Sequence, residues 1–100
     1  MTTFIILFED NPDADPDIRK THMSAHLAFL ESHSEAITAA GPLFSPAGAG
    51  QGGLWIVAAE TEDMVEQLVH RDPFWDTGLR KSYRILRWRQ VFANGIRQII

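Results

Sequence analysis

The chain has 100 residues, no cysteine and a formal net charge of −4. That length makes one domain, 1–100, with one modest core. The missing thiols exclude disulfides and thiolate metal sites, and the acidic balance argues against nucleic-acid binding.

Residues 3–8, TFIILF, are a continuous β-branched and aromatic run, the pattern of a buried strand. EDNPDADPD then reads as a loop, with Asp15 placed to cap a helix, Pro16 at its first position and Asp17 at the positive end of its dipole. The spacing predicts a helix to about Ala40, stopped by Gly41-Pro42. Leu43 to Ser45 look like a short strand, PAGAGQGG (46–53) like a mobile loop, and LWIVAA (54–59) like a second buried strand. Thr61 is set to cap a second helix whose first turn holds Glu62 and Asp63, and Pro73 closes it. SYRILRWRQVF (82–92) reads as a long final strand.

The order is β-α-β-β-α-β, which on one antiparallel sheet is the α+β, ferredoxin-like plan with both helices on one face. Strands 3–8 and 54–59 nevertheless look buried on both sides. A second copy of the sheet would cover the bare face, so a homodimer is expected, with the tail VFANGIRQII reaching its partner. The opening MTTFIILFEDN has neither a basic n-region nor a small-residue cleavage site, and no apolar run is of membrane-spanning length. The expectation is a cytoplasmic protein with no membrane contact.

All 13 acidic residues precede Lys81, and most of the 9 basic ones follow Asp76. Solvent-facing arginines on the last strand, balancing acidic surfaces nearby, account for this asymmetry, although a dedicated anion site would produce the same pattern.

Three of the 4 histidines, His22, His26 and His33, fall in THMSAHLAFLESH. At about 100° per residue their rings lie within roughly 40° of one another, on the apolar stripe with Phe29 and Leu30. A buried imidazole keeps its charged form only beside a carboxylate. Asp72 sits at the end of the second helix, where the macrodipole disfavours a negative charge and a positive neighbour is called for. A His26–Asp72 pair would be general acid–base apparatus, whereas a core histidine bonded to a backbone carbonyl would fit the same stripe. His22 and His26 also have the i, i+4 spacing of zinc ligands, with Asp72 or His70 available as a third. Met23 stands where HExxH requires Glu, and no metal is expected.

HLAFL (26–30), GPL (41–43), the glycine loop before LWIVAA, and DPF with the glycine of DTGL (72–79) together resemble the YCII-related domain family over about residues 4–92. The resemblance implies a dimeric α+β barrel similar to muconolactone isomerases. It implies an active-site pair carried by His26 and Asp72, and an activity of the kind shown by a dehydrochlorinase of a chlorinated hydroxyhydroquinone. Family members often have an arginine three residues before the histidine. Here that position is Met23, so Arg19 or His22 would have to take over binding of an anionic substrate. Phe74 and Gly78 belong to the matching segment and are expected at the substrate site.

Two functions follow. One is a small-molecule lyase or isomerase, free of cofactors, in which His26 held by Asp72 moves a proton on a polar aromatic or anionic substrate. The other is a non-catalytic ligand-binding or partner-docking module on the same fold.

Overall fold

The computed structural model describes residues 1–99. Strand β1 (Thr2–Asp10) leads into helix α1 (Ile18–Ser32), strands β2 (Ile37–Phe44) and β3 (Gly50–Ala59), helix α2 (Glu62–Arg71) and strand β4 (Arg80–Arg87). A single 3₁₀ turn, Trp75–Thr77, precedes β4, and a small hairpin of β5 (Phe92–Ala93) and β6 (Ile96–Arg97) follows it.

The four long strands form one sheet in the order β2-β3-β1-β4, with antiparallel neighbours throughout. This is the ferredoxin-like arrangement: each helix crosses over a strand inserted between the two that it links. Alternation along β1 decides its faces. Phe4, Ile6 and Phe8 are buried, and the register sets them opposite Val57, Trp55 and Gly53. Val65, Leu68 and Val69 of α2 close over this inner face, with Phe29 and Leu30 of α1 packed against the cluster. Both helices therefore cover one side. On the other side Ile5, Leu7, Leu54 and Ile56 remain only half-buried and Leu86 is exposed.

Helix α1 ends at Ser32, well short of Ala40. Ser32 turns its hydroxyl back onto the Phe29 carbonyl at 2.8 Å, a local bond that competes with helix continuation. The chain then needs Ile37 in the core, where it pairs with Val57 as the first residue of β2. Packing thus overrides the helical preference of Ala39 and Ala40, and Gly41-Pro42, expected to stop a helix, lie inside a strand. The start of α1 also differs. Asp17 is the N-cap residue without a side-chain cap bond, and Asp15 instead accepts the Asp17 amide in a turn at 2.9 Å. For α2 the expectation holds: Thr61 Oγ1 accepts the Met64 amide.

Half of the glycine loop is strand. Gly52 has φ +86°, and a Cβ there would fall 1.9 Å from the Phe8 carbonyl oxygen, so glycine lets β3 close tightly on β1. Residues 46–49 make a hydrogen-bonded turn, with the Ser45 amide donating to the Ala49 carbonyl at 2.8 Å. The last long strand ends at Arg87, not at 92. The tail folds into the β5–β6 hairpin over Asn94-Gly95, both at positive φ. Ile100, the end of the tail expected to reach a partner, lies outside the described residues. Among the described residues no helix is long and apolar enough to cross a membrane.

Candidate active site

Helix α1 offers Met23, His26 and Phe29 along one line, spaced by three residues, the spacing that puts side chains on one face. Phe29 goes into the core, Met23 to a cavity, and His26 between them. Helix α2 delivers Asp72 as its C-cap residue, turned into an extended conformation ahead of Pro73. The two side chains, 46 residues apart in sequence, meet: His26 Nδ1 lies 2.8 Å from Asp72 Oδ1. His26 is 8% exposed and Asp72 2%.

Asp72 is held from three directions. Oδ1 also accepts the Phe74 amide at 3.1 Å, and Oδ2 lies 2.7 Å from Nη1 of Arg80. Burial by itself would raise the carboxyl pKa. The His26 hydrogen bond, the Arg80 charge and the Phe74 amide outweigh it, and Asp72 is held below the usual carboxylate range. An ionised carboxylate only accepts, so the hydrogen of the pair belongs to Nδ1 of His26. In the neutral ring the lone pair is then on Nε2, for which the described residues supply no partner. The positive neighbour that a helix-terminal carboxylate calls for is Arg80.

His26 borders a cavity of about 80 Å³, with Asp72 behind it. Phe8, Trp55 and Phe74 supply flat walls, Gly41, Pro42 and Gly53 an edge without long side chains, and Arg19, His26 and Arg80 the polar groups. The Phe74 ring is 4.3 Å from that of His26. Arg19 is fixed at the rim by Asp10, with contacts of 2.7 and 3.3 Å.

The other expected site residues fare differently. His22 is half-buried and lies outside the cavity lining. Gly78 is exposed, also off the lining; at φ +79° it caps the 3₁₀ turn, and its carbonyl accepts Asn11 Nδ2 at 3.3 Å. Its part is to swing the chain into β4. His33, expected on the same stripe, leaves the helix and packs its ring 4.7 Å from Phe29. Among the described residues no three His, Asp or Glu side chains gather as a metal would need.

Arg80 is the residue that reading by alternation misses. Tyr83 and Ile85 pack against the core, so a strict period of two sends Arg80 outward with Ser82 and Arg84. The register shows otherwise: Ser82 faces Glu9, and the next residue of β1, Asp10, faces Arg80. Lys81 is the extra residue of a β-bulge, and the bulge turns Arg80 onto the helix side. Its side chain is 6% exposed, with the guanidinium 3.8 Å above the Phe8 ring.

A ferredoxin-like α+β domain with a buried imidazole–carboxylate pair beside a small cavity is the class that fold and site define. Within that class the chain belongs to the YCII-related domain family, whose model matches residues 2–89. Among solved structures it is similar to 5-chloro-2-hydroxyhydroquinone dehydrochlorinase from Burkholderia phenoliruptrix AC1100, in complex with 2,5-dihydroxybenzoquinone. Identity is 30%, the likeness covers 87% of this chain and 93% of that one, and the TM-score is 0.76. Two weaker likenesses show the fold alone. Protein Atu4242 from Agrobacterium tumefaciens is 19% identical over 94% of this chain and 95% of its own, with TM-score 0.54. A dimeric protein of unknown function from Bacteroides fragilis is 13% identical over 89% and 95%, with TM-score 0.51. A search of curated proteins found no match.

Proposed function

We propose that the chain is a small-molecule lyase or isomerase in which His26, oriented by Asp72, moves a proton on a hydroxylated aromatic or related substrate in the cavity. The observation that carries this reading is the 2.8 Å bond between Nδ1 and Oδ1 on a histidine that lines the cavity, which leaves Nε2 to act as the base. The likeness at 30% identity to a dehydrochlorinase supports the reaction class.

In an elimination, one hydroxyl proton of the substrate first moves to the chlorine-bearing carbon, giving the keto tautomer. Nε2 then takes the proton of a second hydroxyl, its O–H pair forms a C=O, the enol C=C pair shifts to make a new C=C at the chlorine-bearing carbon, and chloride leaves with the pair of the C–Cl bond. Asp72 offsets the charge of the imidazolium that forms, and the proton then passes to solvent. A double-bond migration uses the same base and returns the proton to another carbon. Neither balance calls for an oxidant or a cofactor.

The assay is chloride release from 5-chloro-2-hydroxyhydroquinone. Turnover by the wild type and its loss in His26→Gln are expected. Binding of the compound without turnover would make the chain a ligand-binding module instead, and turnover unchanged in His26→Gln would remove the imidazole from the chemistry.

The protein acts as a homodimer in this reading. The sheet side away from the helices keeps Ile5, Leu7, Leu54 and Ile56 half-buried and Leu86 exposed, an apolar patch that a second sheet would bury. Sedimentation at the mass of two chains is expected, and a Leu86→Glu variant should shift it toward one.

A further inference from the structure

Arg80 is more than a counter-ion for Asp72. Its guanidinium carries five N–H donors, and the described side chains give it one ion-pair partner, Asp72 Oδ2. That 2.7 Å contact engages Nη1 alone, and Nε and Nη2 make no side-chain hydrogen bond among the described residues. Burying such a group costs free energy that only a partner recovers. Asp72 is already shared with the His26 ring and the Phe74 amide.

Three rings hold the guanidinium in place: Phe8 at 3.8 Å, Trp55 at 5.4 Å and Phe74 at 5.7 Å from Cζ. The same three rings wall the cavity, and Arg80 opens onto it. Arg19 borders the same space and pushes on the Arg80 charge, although Asp10 balances Arg19 itself. The cavity is therefore lined by flat apolar walls, a guanidinium with N–H groups beyond the one that Asp72 engages, and an imidazole, all within one small volume.

We propose that Arg80 anchors a planar oxyanion in this cavity, a ring-borne phenolate, enolate or carboxylate whose oxygen meets the guanidinium while the ring lies among Phe8, Trp55 and Phe74. The inference rests on the site reading above and narrows it: the ligand is charged and flat, and the anchor differs from the base. In elimination chemistry the anchored oxygen is the one that gathers negative charge as the proton leaves, and a fixed guanidinium favours that charge without reorganising.

The test is calorimetric binding of 2,5-dihydroxybenzoquinone at neutral pH to wild type, Arg80→Gln and His26→Gln, with benzoate and benzamide as a charged and an uncharged single ring. Arg80→Gln should lose about 10–100-fold in affinity for the quinone, while His26→Gln keeps binding and loses turnover. Wild type should prefer benzoate to benzamide by about tenfold or more. Equal affinities of wild type for the two rings, or of Arg80→Gln and wild type for the quinone, would overturn the anchor. Should Arg80→Gln fail to fold, the ring comparison on wild type still decides, together with the Arg80 side-chain ¹⁵N resonance: it should move on adding benzoate, and a silent resonance would overturn the assignment. Turnover with a silent Arg80 would sink the anchor and spare the proton-transfer reading. Selective binding without turnover would do the reverse.

Discussion

Two imidazole clusters lie either side of the C-terminal end of α2, and they differ in what surrounds them. His26, Asp72 and Arg80 are buried beside a cavity. His70, only two residues before Asp72, is exposed. Its Nε2 lies 3.2 Å from the Tyr83 hydroxyl, which donates to Glu66, and its ring packs 4.6 Å from Trp75. Each cluster contains a histidine, an acid and an aromatic ring. In the second cluster the polar groups bond one another and face solvent. In the first, the imidazole and the guanidinium share one carboxylate and line a small cavity. Composition does not separate the two; unspent hydrogen-bonding capacity next to a cavity does.

The largest effect that sharpens this contrast is on turnover. His26→Ala should lower kcat by about 10²–10⁴-fold, the usual worth of a positioned acid or base, whereas His70→Ala should leave it unchanged. Equal losses would erase the distinction.

The next effect is on stability. Asp72→Asn leaves Arg80 buried without its partner, and breaking a buried pair costs about 3–5 kcal/mol. The sign with pH follows from the depressed carboxyl pKa. The stabilisation is complete above the ordinary value of 3.8 and fades as pH falls through the lower folded value. Denaturant melts of wild type and Asp72→Asn should therefore differ most near neutrality and converge in strong acid. A gap that persists there would assign the loss to packing instead of charge.

The smallest effect concerns the second cluster. Tyr83 is the one tyrosine in the chain, so its phenolate absorbance can be followed without overlap from another phenol. Burial, the hydrogen bond to Glu66 and the Glu66 charge push its pKa up to about 12. Because the folded value is raised, that stabilisation is present below the ordinary 10 and is lost as pH climbs through about 12. Glu66→Gln should bring the titration back toward 10, at a cost of about 1 kcal/mol in a melt. A midpoint near 10 in the wild type would remove the Tyr83–Glu66 bond.

Much of this was readable in the residues. Strands at 3–8 and 54–59, the Thr61 cap, the Pro73 stop and the element order all follow from local chemistry. So does the search for a positive partner for Asp72, because an acid at a helix C-terminus is locally wrong until something offsets it. What stayed hidden was non-local. Ser32 ends α1 because Ile37 is needed beside Val57, a demand the 33–40 stretch does not express. Arg80 faces inward because one extra residue, Lys81, breaks the alternation of β4, and RKSYRILR reads outward by its own periodicity. His22, expected as a stand-in for the family's arginine, and Gly78, expected from the matching segment, both lie off the cavity lining, the first on another part of the α1 surface and the second in the turn that leads into β4. Arg19 was legible as an anion-binding candidate, but its partner Asp10 was not, since the two meet only when β1 and α1 pack.

The proposed proton transfer needs Asp72 to fix His26 with its hydrogen on Nδ1, so that Nε2 is the base that meets the ligand. Ring ¹⁵N spectra of the protein in mildly alkaline solution, with and without 2,5-dihydroxybenzoquinone, test it most directly. A protonated Nδ1, a lone-pair Nε2 and a ligand-induced change concentrated on Nε2 are expected. A hydrogen on Nε2 in the free protein, or an Nε2 signal indifferent to the ligand, would contradict it.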